Sequence, residues 1–192
     1  MGQPSSLPRS IKHEVARKLL HLPVFLFPWI ATHSLVLFWA VGIGLILIYI
    51  GIYYLEIKLK VQVPLLTRLI HYCRRGPTLD WGPIYLMVGF LVASNLGPVK
   101  NLWFCAYIIA VCDSMASLVG KSLGGPRLGK LSKTYVGSAA FLMLALVGFI
   151  YFFSPGHAVG LAIVLTLVEM FSVHDLDNFT LPVSTALLLI LK

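Results

Sequence analysis

Residues 35–57 read LVLFWAVGIGLILIYIGIYYLEI and form the cleanest apolar run of the chain, with Glu56 as its one charged side chain. At 1.5 Å per residue, a helix of this length reaches about 35 Å, which exceeds the roughly 30 Å hydrocarbon core of a bilayer. We therefore predict a membrane-spanning helix over these residues.

Apolar blocks of similar character make up most of the remaining sequence. Hydrophobic residues are 58% of the 192 and charged residues only 11%, whereas a soluble domain carries roughly a quarter charged residues. The blocks predict further spans at 20–32, 83–95, 103–120, 136–153 and 157–172, and a short last segment at 181–191. We expect an all-α, polytopic membrane protein of about seven transmembrane helices, forming one domain over residues 1–192.

Two segments outside the spans also carry predictions. A charged stretch from residue 11 to about 22 predicts an amphipathic N-terminal helix, and residues 61–72 predict a helix lying in the membrane interface. Residues 1–10 are polar, contain Pro4 and Pro8, and are expected to be flexible.

The positive charges indicate an orientation. The formal net charge is +8, but the basic residues lie between apolar blocks, which favours a membrane topology over nucleic-acid binding. With the N-terminus in the cytoplasm, all of the fifteen lysines and arginines except Lys100 and Lys192 fall on the cytoplasmic side. We expect an integral multi-pass protein in this orientation.

The acidic residues also lie toward the cytoplasmic side, although acidic residues contribute little to membrane orientation. All seven lie at, or less than two helical turns from, the predicted cytoplasmic ends: Glu14, Glu56, Asp80, Asp113, Glu169, Asp175 and Asp177. Topology alone does not require this arrangement. It indicates a polar site that opens to the cytoplasm and performs chemistry on a lipid.

The first of four polar motifs is Glu14-Val-Ala-Arg17-Lys18-Leu-Leu-His21. Its polar residues are spaced i, i+3, i+4 and i+7, which places them on one helix face. Such a face could be a surface anchor with an internal Glu–Arg pair. An anchor would not need His21 at the mouth of an apolar span, and this favours a role in a site.

The second motif, CDSMASLVGK over residues 112–121, contains Asp113, Ser114 and Ser117. Asp113 lies inside an apolar run, where a carboxylate costs roughly 2.5–3.5 kcal/mol to insert. A structural ion pair with a neighbouring span would explain it. A functional carboxylate also would, and Mg²⁺ is a natural partner for carboxylate and phosphate oxygens.

The third motif, GKSLGGPRLGKLSKTYVGS over residues 120–138, is rich in glycine and in basic residues. Glycines allow backbone N–H groups to approach a phosphate closely, and lysine and arginine neutralise its charge. The following helix N-terminus also favours anions. The alternative is an ordinary basic loop on the cytoplasmic side.

The fourth motif joins Glu169 to Asp177-Asn178, ahead of Pro182. Asp177 and Asn178 could cap the next helix while Glu169 forms an ion pair. Alternatively, Glu169 and Asp177 could join Asp113 around a divalent cation.

Taken in order, the four motifs resemble those of the CTP-dependent polyprenol kinases, a family that includes dolichol, phytol and farnesol kinases and the CTP-dependent diacylglycerol kinase. The resemblance covers about residues 11–185. The chain departs from the family pattern at Val136, where a glutamate is common, so no carboxylate role is carried over to that position.

The resemblance implies transfer of the γ-phosphate of CTP to the hydroxyl of a lipid alcohol in the bilayer: a polyprenol, phytol, geranylgeraniol or diacylglycerol. It implies catalytic roles for Asp113, Lys133 and Glu14, and Mg²⁺ ligation by Asp113, Glu169 and Asp177. The residues that it assigns to nucleotide binding are Arg17, Lys18, Lys121, Arg127, Lys130, Lys133, Thr134, Gly137, Ser138 and Asn178.

Two other functions fit parts of the sequence. A cytidylyltransferase of the CDP-diacylglycerol or CDP-archaeol synthase type would also need CTP, Mg²⁺ and a lipid. A small anion transporter would also use buried carboxylates, but a transport route needs polar groups across the membrane midplane, and the acids here lie toward one face.

Overall fold

The computed structural model of the protein describes residues 11–19, 21–58, 79–127 and 133–191. Within these ranges 85% of the residues are helical and there is no strand, which confirms the all-α prediction. The predictions for residues 1–10, for the interfacial helix at 61–72 and for Lys130 lie outside the described residues.

The helices follow one another with short connections. Helix α1 (Ile11–Leu19) precedes a 3₁₀ turn (Leu22–Phe25), α2 (Leu26–His33) and α3 (Leu35–Lys58). Helix α4 (Gly82–Ala93) precedes a second 3₁₀ turn (Val99–Asn101), α5 (Leu102–Tyr107) and α6 (Ser114–Leu123). The last three are α7 (Tyr135–Ile150), α8 (Pro155–Phe171) and, after a third 3₁₀ turn (His174–Leu176), α9 (Asp177–Ile190).

Two helices in the described part of the chain are long and apolar enough to cross a membrane, Leu35–Glu56 and Val99–Leu123. The apolar helices α4, α7, α8 and α9 are each shorter than 18 residues, so seven transmembrane helices are not confirmed. The prediction of one continuous spanning helix at 20–32 is wrong, because a 3₁₀ turn and the eight-residue α2 occupy that region.

Helix α3 lies at the edge of the bundle. Only 17% of its most apolar window is buried, and Val36 and Leu47 are 81% and 63% exposed. A helix that is apolar on all sides yet unburied by protein is typical of a membrane span.

The core surrounds a rod that runs from Val99 to Leu123 and packs against α7 and α9, while α9 also packs against α4 and α8. The fully buried apolar side chains include Phe90, Leu102, Ile108, Ile109, Phe141, Phe149, Leu165 and Leu181. The tightly packed rod therefore forms the scaffold on which polar residues at its end are held.

A π-helical segment, Ile108–Asp113, separates α5 from α6 within this rod. The Ser114 hydroxyl donates a hydrogen bond to the carbonyl of Ile109, five residues earlier, at 3.2 Å. Segments of this kind are rare and often lie at functional sites. Here the segment ends at Asp113, which is 2% exposed.

Helices α6 and α7 cross where both carry glycine. A Cβ added at Gly137 would lie 2.7 Å from the carbonyl oxygen of Ala116, and one added at Gly120 would lie 2.5 Å from the Thr134 hydroxyl. The two glycines therefore allow the backbones to approach closely. Gly124 and Gly125, which follow α6, have φ of 67° and 107°, a left-handed backbone that glycine adopts without strain.

Gly137→Ala is expected to destabilise the protein by about 1–3 kcal/mol, because the new methyl group meets a backbone oxygen that cannot rotate away. Thermal unfolding in detergent measures the effect. The matched control is Gly160→Ala on α8, where a Cβ would meet no described atom within 4 Å. Equal melting temperatures for the two variants would contradict the close crossing.

Candidate functional site

Five segments of the chain meet at one end of the bundle. Helix α1 contacts α6 through Glu14 and Lys121, and reaches Asp175 through Arg17. The start of α7 reaches the start of α9, and the start of α9 reaches Gly82 at the start of α4. These segments carry the four sequence motifs, except for the start of α4, which lies outside the motifs.

Lys133 lies at the centre of this end. Its Nζ is 2.8 Å from Glu169 Oε1, 2.9 Å from Asp177 Oδ2 and 3.8 Å from Asp113 Oδ1. Asp113 and Glu169 are each 2% exposed and Asp177 is 9% exposed. We call these four residues the Lys133 cluster.

Local hydrogen bonds hold each member of the cluster. Thr134 caps α7 by accepting a hydrogen bond from the Gly137 N–H at 3.1 Å, which fixes the backbone next to Lys133. Ser138, one turn into α7, donates to Glu169 Oε2 at 2.8 Å. Asp177 Oδ1 accepts from the Asn178 N–H at 2.9 Å, so its other oxygen faces Lys133.

Asp113 has a second cationic partner. Lys18 Nζ donates to Asp113 Oδ2 at 2.5 Å, and Lys18 is itself only 6% exposed. A buried carboxylate with two ammonium groups within 4 Å retains its negative charge. The carboxylate in turn holds both lysine side chains in place. The geometry therefore contains the structural ion pair that the sequence offered as an alternative, and the functional role of Asp113 stays a prediction.

Glu14 organises a neighbouring group on α1 and α6. Its Oε1 accepts from Arg17 at 2.6 Å and from the Ser117 hydroxyl at 2.7 Å, and its Oε2 accepts from Lys121. The sequence offered the pair with Arg17 as part of the alternative of a surface anchor, and the structure contains the pair. The pair lies against α6 with Glu14 only 5% exposed, which is more buried than a surface anchor requires.

These contacts shift two pKa values in opposite directions. Burial alone would raise the pKa of Glu14, but Arg17 and the hydrogen bonds from Lys121 and Ser117 outweigh it and lower the pKa to about 2. Burial would lower the pKa of Lys133, but Asp113, Asp177 and Glu169 outweigh it and hold that pKa well above its ordinary value.

The Glu14 shift predicts how the docking of α1 depends on pH. Because the pKa falls from 4.5 to about 2, Glu14 contributes its full stabilisation above about pH 4.5 and loses it as the pH falls toward 2. The protection of the α1 amides against hydrogen exchange, relative to the intrinsic rate at each pH, should fall over that range. Glu14→Gln should exchange rapidly already at pH 7, and the difference between the two proteins separates Glu14 from other carboxylates. Equal α1 exchange in both proteins at pH 7 would contradict this role.

The predicted Mg²⁺ ligands come together, but they enclose a lysine. Asp113, Glu169 and Asp177 converge on the Lys133 ammonium group. Across residues 11–19, 21–58, 79–127 and 133–191, no three His, Cys, Asp or Glu side chains are arranged to hold a metal ion. Mg²⁺ requires oxygens at about 2.1 Å in near-octahedral geometry, and these carboxylates as placed fit an ammonium group better. The Mg²⁺ requirement stays a prediction.

The residues predicted to bind nucleotide are mostly engaged within the protein. Arg17, Lys18 and Lys133 face carboxylates, Ser138 donates to Glu169, and the Asn178 amide donates to the carbonyl of Gly82 at 3.3 Å. Thr134 and Gly137 have the capping and packing roles described above. The cations with most exposure are Lys121, whose side chain is 48% exposed, and Arg127.

The structure adds residues that sequence reasoning left without a role. Asp175 lies 3.7 Å from Arg17, and a Cβ at Gly82 would approach both Asp175 and Asp80. Asp80 Oδ1 accepts a hydrogen bond from the Gly82 N–H at 3.1 Å. The sequence signal for Asp80 and Asp175 was their position on the predicted cytoplasmic side.

Two proteins of similar sequence are uncharacterized. One, from Methanocaldococcus jannaschii, is 27% identical over 145 residues, which cover 74% of this chain and 75% of that protein. The other, from Rickettsia prowazekii, is 28% identical over 191 residues, which cover 91% of this chain and 92% of that protein. The sequence matches no protein-family model. No solved structure matches it either.

Proposed function

We propose that the protein is a multi-pass membrane enzyme that transfers the γ-phosphate of CTP to the hydroxyl of a lipid alcohol, with its site facing the cytoplasm. The observation that carries the proposal is the Lys133 cluster. Lys133 meets carboxylates from the rod, from α8 and from α9. These residues belong to three of the four motifs that resemble the CTP-dependent kinases, and Lys18 of the remaining motif also contacts Asp113.

The chemistry suits such a cluster. In the transfer, a bond forms between the lipid oxygen and the γ-phosphorus, the bond from that phosphorus to the bridging oxygen breaks, CDP leaves, and the hydroxyl proton is released. Phosphoryl transfer depends on positioning and on stabilising charge around the in-line oxygens. Lys18 and Lys133 each place an ammonium group within 4 Å of the Asp113 carboxylate.

The cations at the open side suit the nucleotide. Arg127 is exposed, and the Lys121 side chain is half-exposed although its ammonium group donates to Glu14, so both side chains are accessible to phosphate oxygens from solvent. Arg127 pairs with Thr134 through an isolated antiparallel bridge, which brings the loop back to the start of α7. The triphosphate would lie between these cations and the Lys133 cluster.

The apolar surface suits a lipid acceptor. Large apolar side chains are exposed on the outer faces of α3, α7 and α8, including Leu47, Met143 and Ile163. In a bilayer these faces meet acyl chains, and the shorter helices would complete the crossing with their flanking turns. The polar end then lies at the membrane surface, where a lipid hydroxyl resides.

Purified protein, γ-labelled CTP and a panel of polyprenols, phytol, geranylgeraniol and diacylglycerol test the proposal, with and without Mg²⁺. We expect label in one lipid class and release of CDP, both dependent on Mg²⁺. Label in no lipid, together with transfer of CMP to phosphatidic acid and release of pyrophosphate, would contradict the kinase and favour a cytidylyltransferase.

A further inference from the structure

Two buried polar atoms near the Lys133 cluster lack a hydrogen-bond partner among the described residues, His21 Nδ1 and Arg17 Nε. His21 is 9% exposed, and among the described residues its Nδ1 atom is buried and accepts or donates no hydrogen bond. A buried polar atom without a partner costs roughly 1–3 kcal/mol. Such atoms are rare in native proteins, and each needs an explanation, such as a catalytic role, a bound water or a ligand.

The backbone fixes His21 at the junction of two kinds of surface. Its N–H donates to the carbonyl of Lys18 at 3.0 Å, and its own carbonyl accepts from Val24 at 3.1 Å, so it joins α1 to the following 3₁₀ turn. Its ring interacts electrostatically with Lys18 and with Asp113. The imidazole therefore lies beside the charged site.

Apolar side chains flank the same junction. Leu19, Leu22 and Leu26 are 48–56% exposed. A ligand held at His21 thus has a polar site on one side and an exposed apolar surface on the other. That combination matches a molecule with one small polar group and a long hydrocarbon chain.

We propose that His21 Nδ1 accepts a hydrogen bond from the hydroxyl of the lipid alcohol, with the hydrocarbon tail lying over Leu19, Leu22 and Leu26. This inference rests on the proposed function and names the residue that binds its acceptor. Burial favours the neutral ring, in which one nitrogen accepts. In the tautomer whose proton is on Nε2, Nδ1 is the accepting nitrogen, and a hydroxyl can donate to it, whereas an ionised phosphate has no proton to donate.

The nearby Arg17 supports a ligand at this position. Its Nε is also buried without a hydrogen-bond partner among the described residues, although its terminal nitrogens pair with Glu14 and Asp175. Arg17 precedes His21 by four residues, about one helical turn. One hydroxyl group can accept a hydrogen bond from a guanidinium N–H and at the same time donate a hydrogen bond to an imidazole nitrogen.

The test compares binding of geranylgeraniol with binding of its methyl ether, which has no hydroxyl proton to donate. Affinity is measured without nucleotide, in detergent, for the wild type, His21→Leu and His21→Asn. Asparagine places an amide oxygen close to the position of Nδ1, so it can still accept. We expect the wild type to prefer the alcohol about tenfold, His21→Leu to lose the preference, and His21→Asn to retain most of it.

A kinetic measurement separates positioning from folding. His21→Leu should raise the KM for the alcohol about tenfold while leaving the KM for CTP within about twofold, whereas a general loss of folding would lower kcat and leave both KM values unchanged. An equal affinity of the wild type for alcohol and ether, or a preference that survives in His21→Leu, would overturn the inference. Discrimination without any phosphorylation would overturn the proposed kinase activity while supporting the alcohol site.

Discussion

Replacing Lys133 with methionine is expected to lower phosphoryl transfer on the order of 10³-fold or more and to destabilise the protein by about 3–5 kcal/mol. The physical reason is that Asp113, Glu169 and Asp177 would remain buried with one fewer cation among them. Methionine keeps most of the volume, so the effect reports charge. The measurements are turnover with labelled CTP and the denaturation midpoint in detergent.

Lys100→Met is the matched control, because Lys100 is exposed and lies in the second 3₁₀ turn, far along the rod from the cluster. It should leave both activity and stability close to wild type. Lys133→Arg should recover most of the stability, since the charge returns, and less of the activity, since a planar guanidinium does not match an ammonium point charge. Full activity in Lys133→Met would exclude the cluster from the reaction.

Asp113→Asn is expected to abolish measurable turnover without preventing membrane insertion. Asparagine has nearly the same shape, but it leaves the Lys18 and Lys133 ammonium groups without the carboxylate that lies 2.5 Å and 3.8 Å away. Uncompensated buried charge should cost about 3–5 kcal/mol. Labelled transfer and thermal unfolding measure the two effects.

Two further variants, one at the edge of the site and one at Asp113 itself, separate stability from function. Asp175→Asn changes a carboxylate at the edge of the site, 3.7 Å from Arg17, and should cost less than about tenfold in turnover. The double variant Lys18→Met with Asp113→Asn removes both partners and should recover stability but not turnover. Near-wild-type turnover in Asp113→Asn would remove Asp113 from the mechanism.

The sequence predicted the helices well where the apolar pattern was long. The prediction at 35–57 matches α3, and that at 157–172 matches α8 within two residues at each end. It failed at 20–32, because apolar composition does not distinguish a continuous helix from a 3₁₀ turn joined to a short helix. Pro23 and Pro28 were the available signals there, since proline disrupts helix interiors.

For the site, the sequence identified the polar residues but not their pairing. Asp113, Glu169 and Asp177 were predicted to act together, and they do converge. That Lys133 occupies their centre depends on the crossing of α6 and α7 and on the loop between them, which no local pattern encodes. Gly137 shows the same limit of the sequence. The sequence assigned this glycine to the approach of a phosphate, whereas in the structure it allows α7 to pack against the backbone of Ala116.

The π-helical segment adds one residue to the rod without turning α6 relative to α5. A π turn holds about one residue more than an α turn, so removing one residue, such as Ala110, would return the segment to α-helical winding. Because the two kinds of turn cover the same angle, the side chains after the deletion would keep their direction, and Asp113 would still face Lys18. The deletion would remove only the local widening of the rod that ends at Asp113. The extra residue thus changes the backbone beside the charged site while both halves of the rod keep their packing.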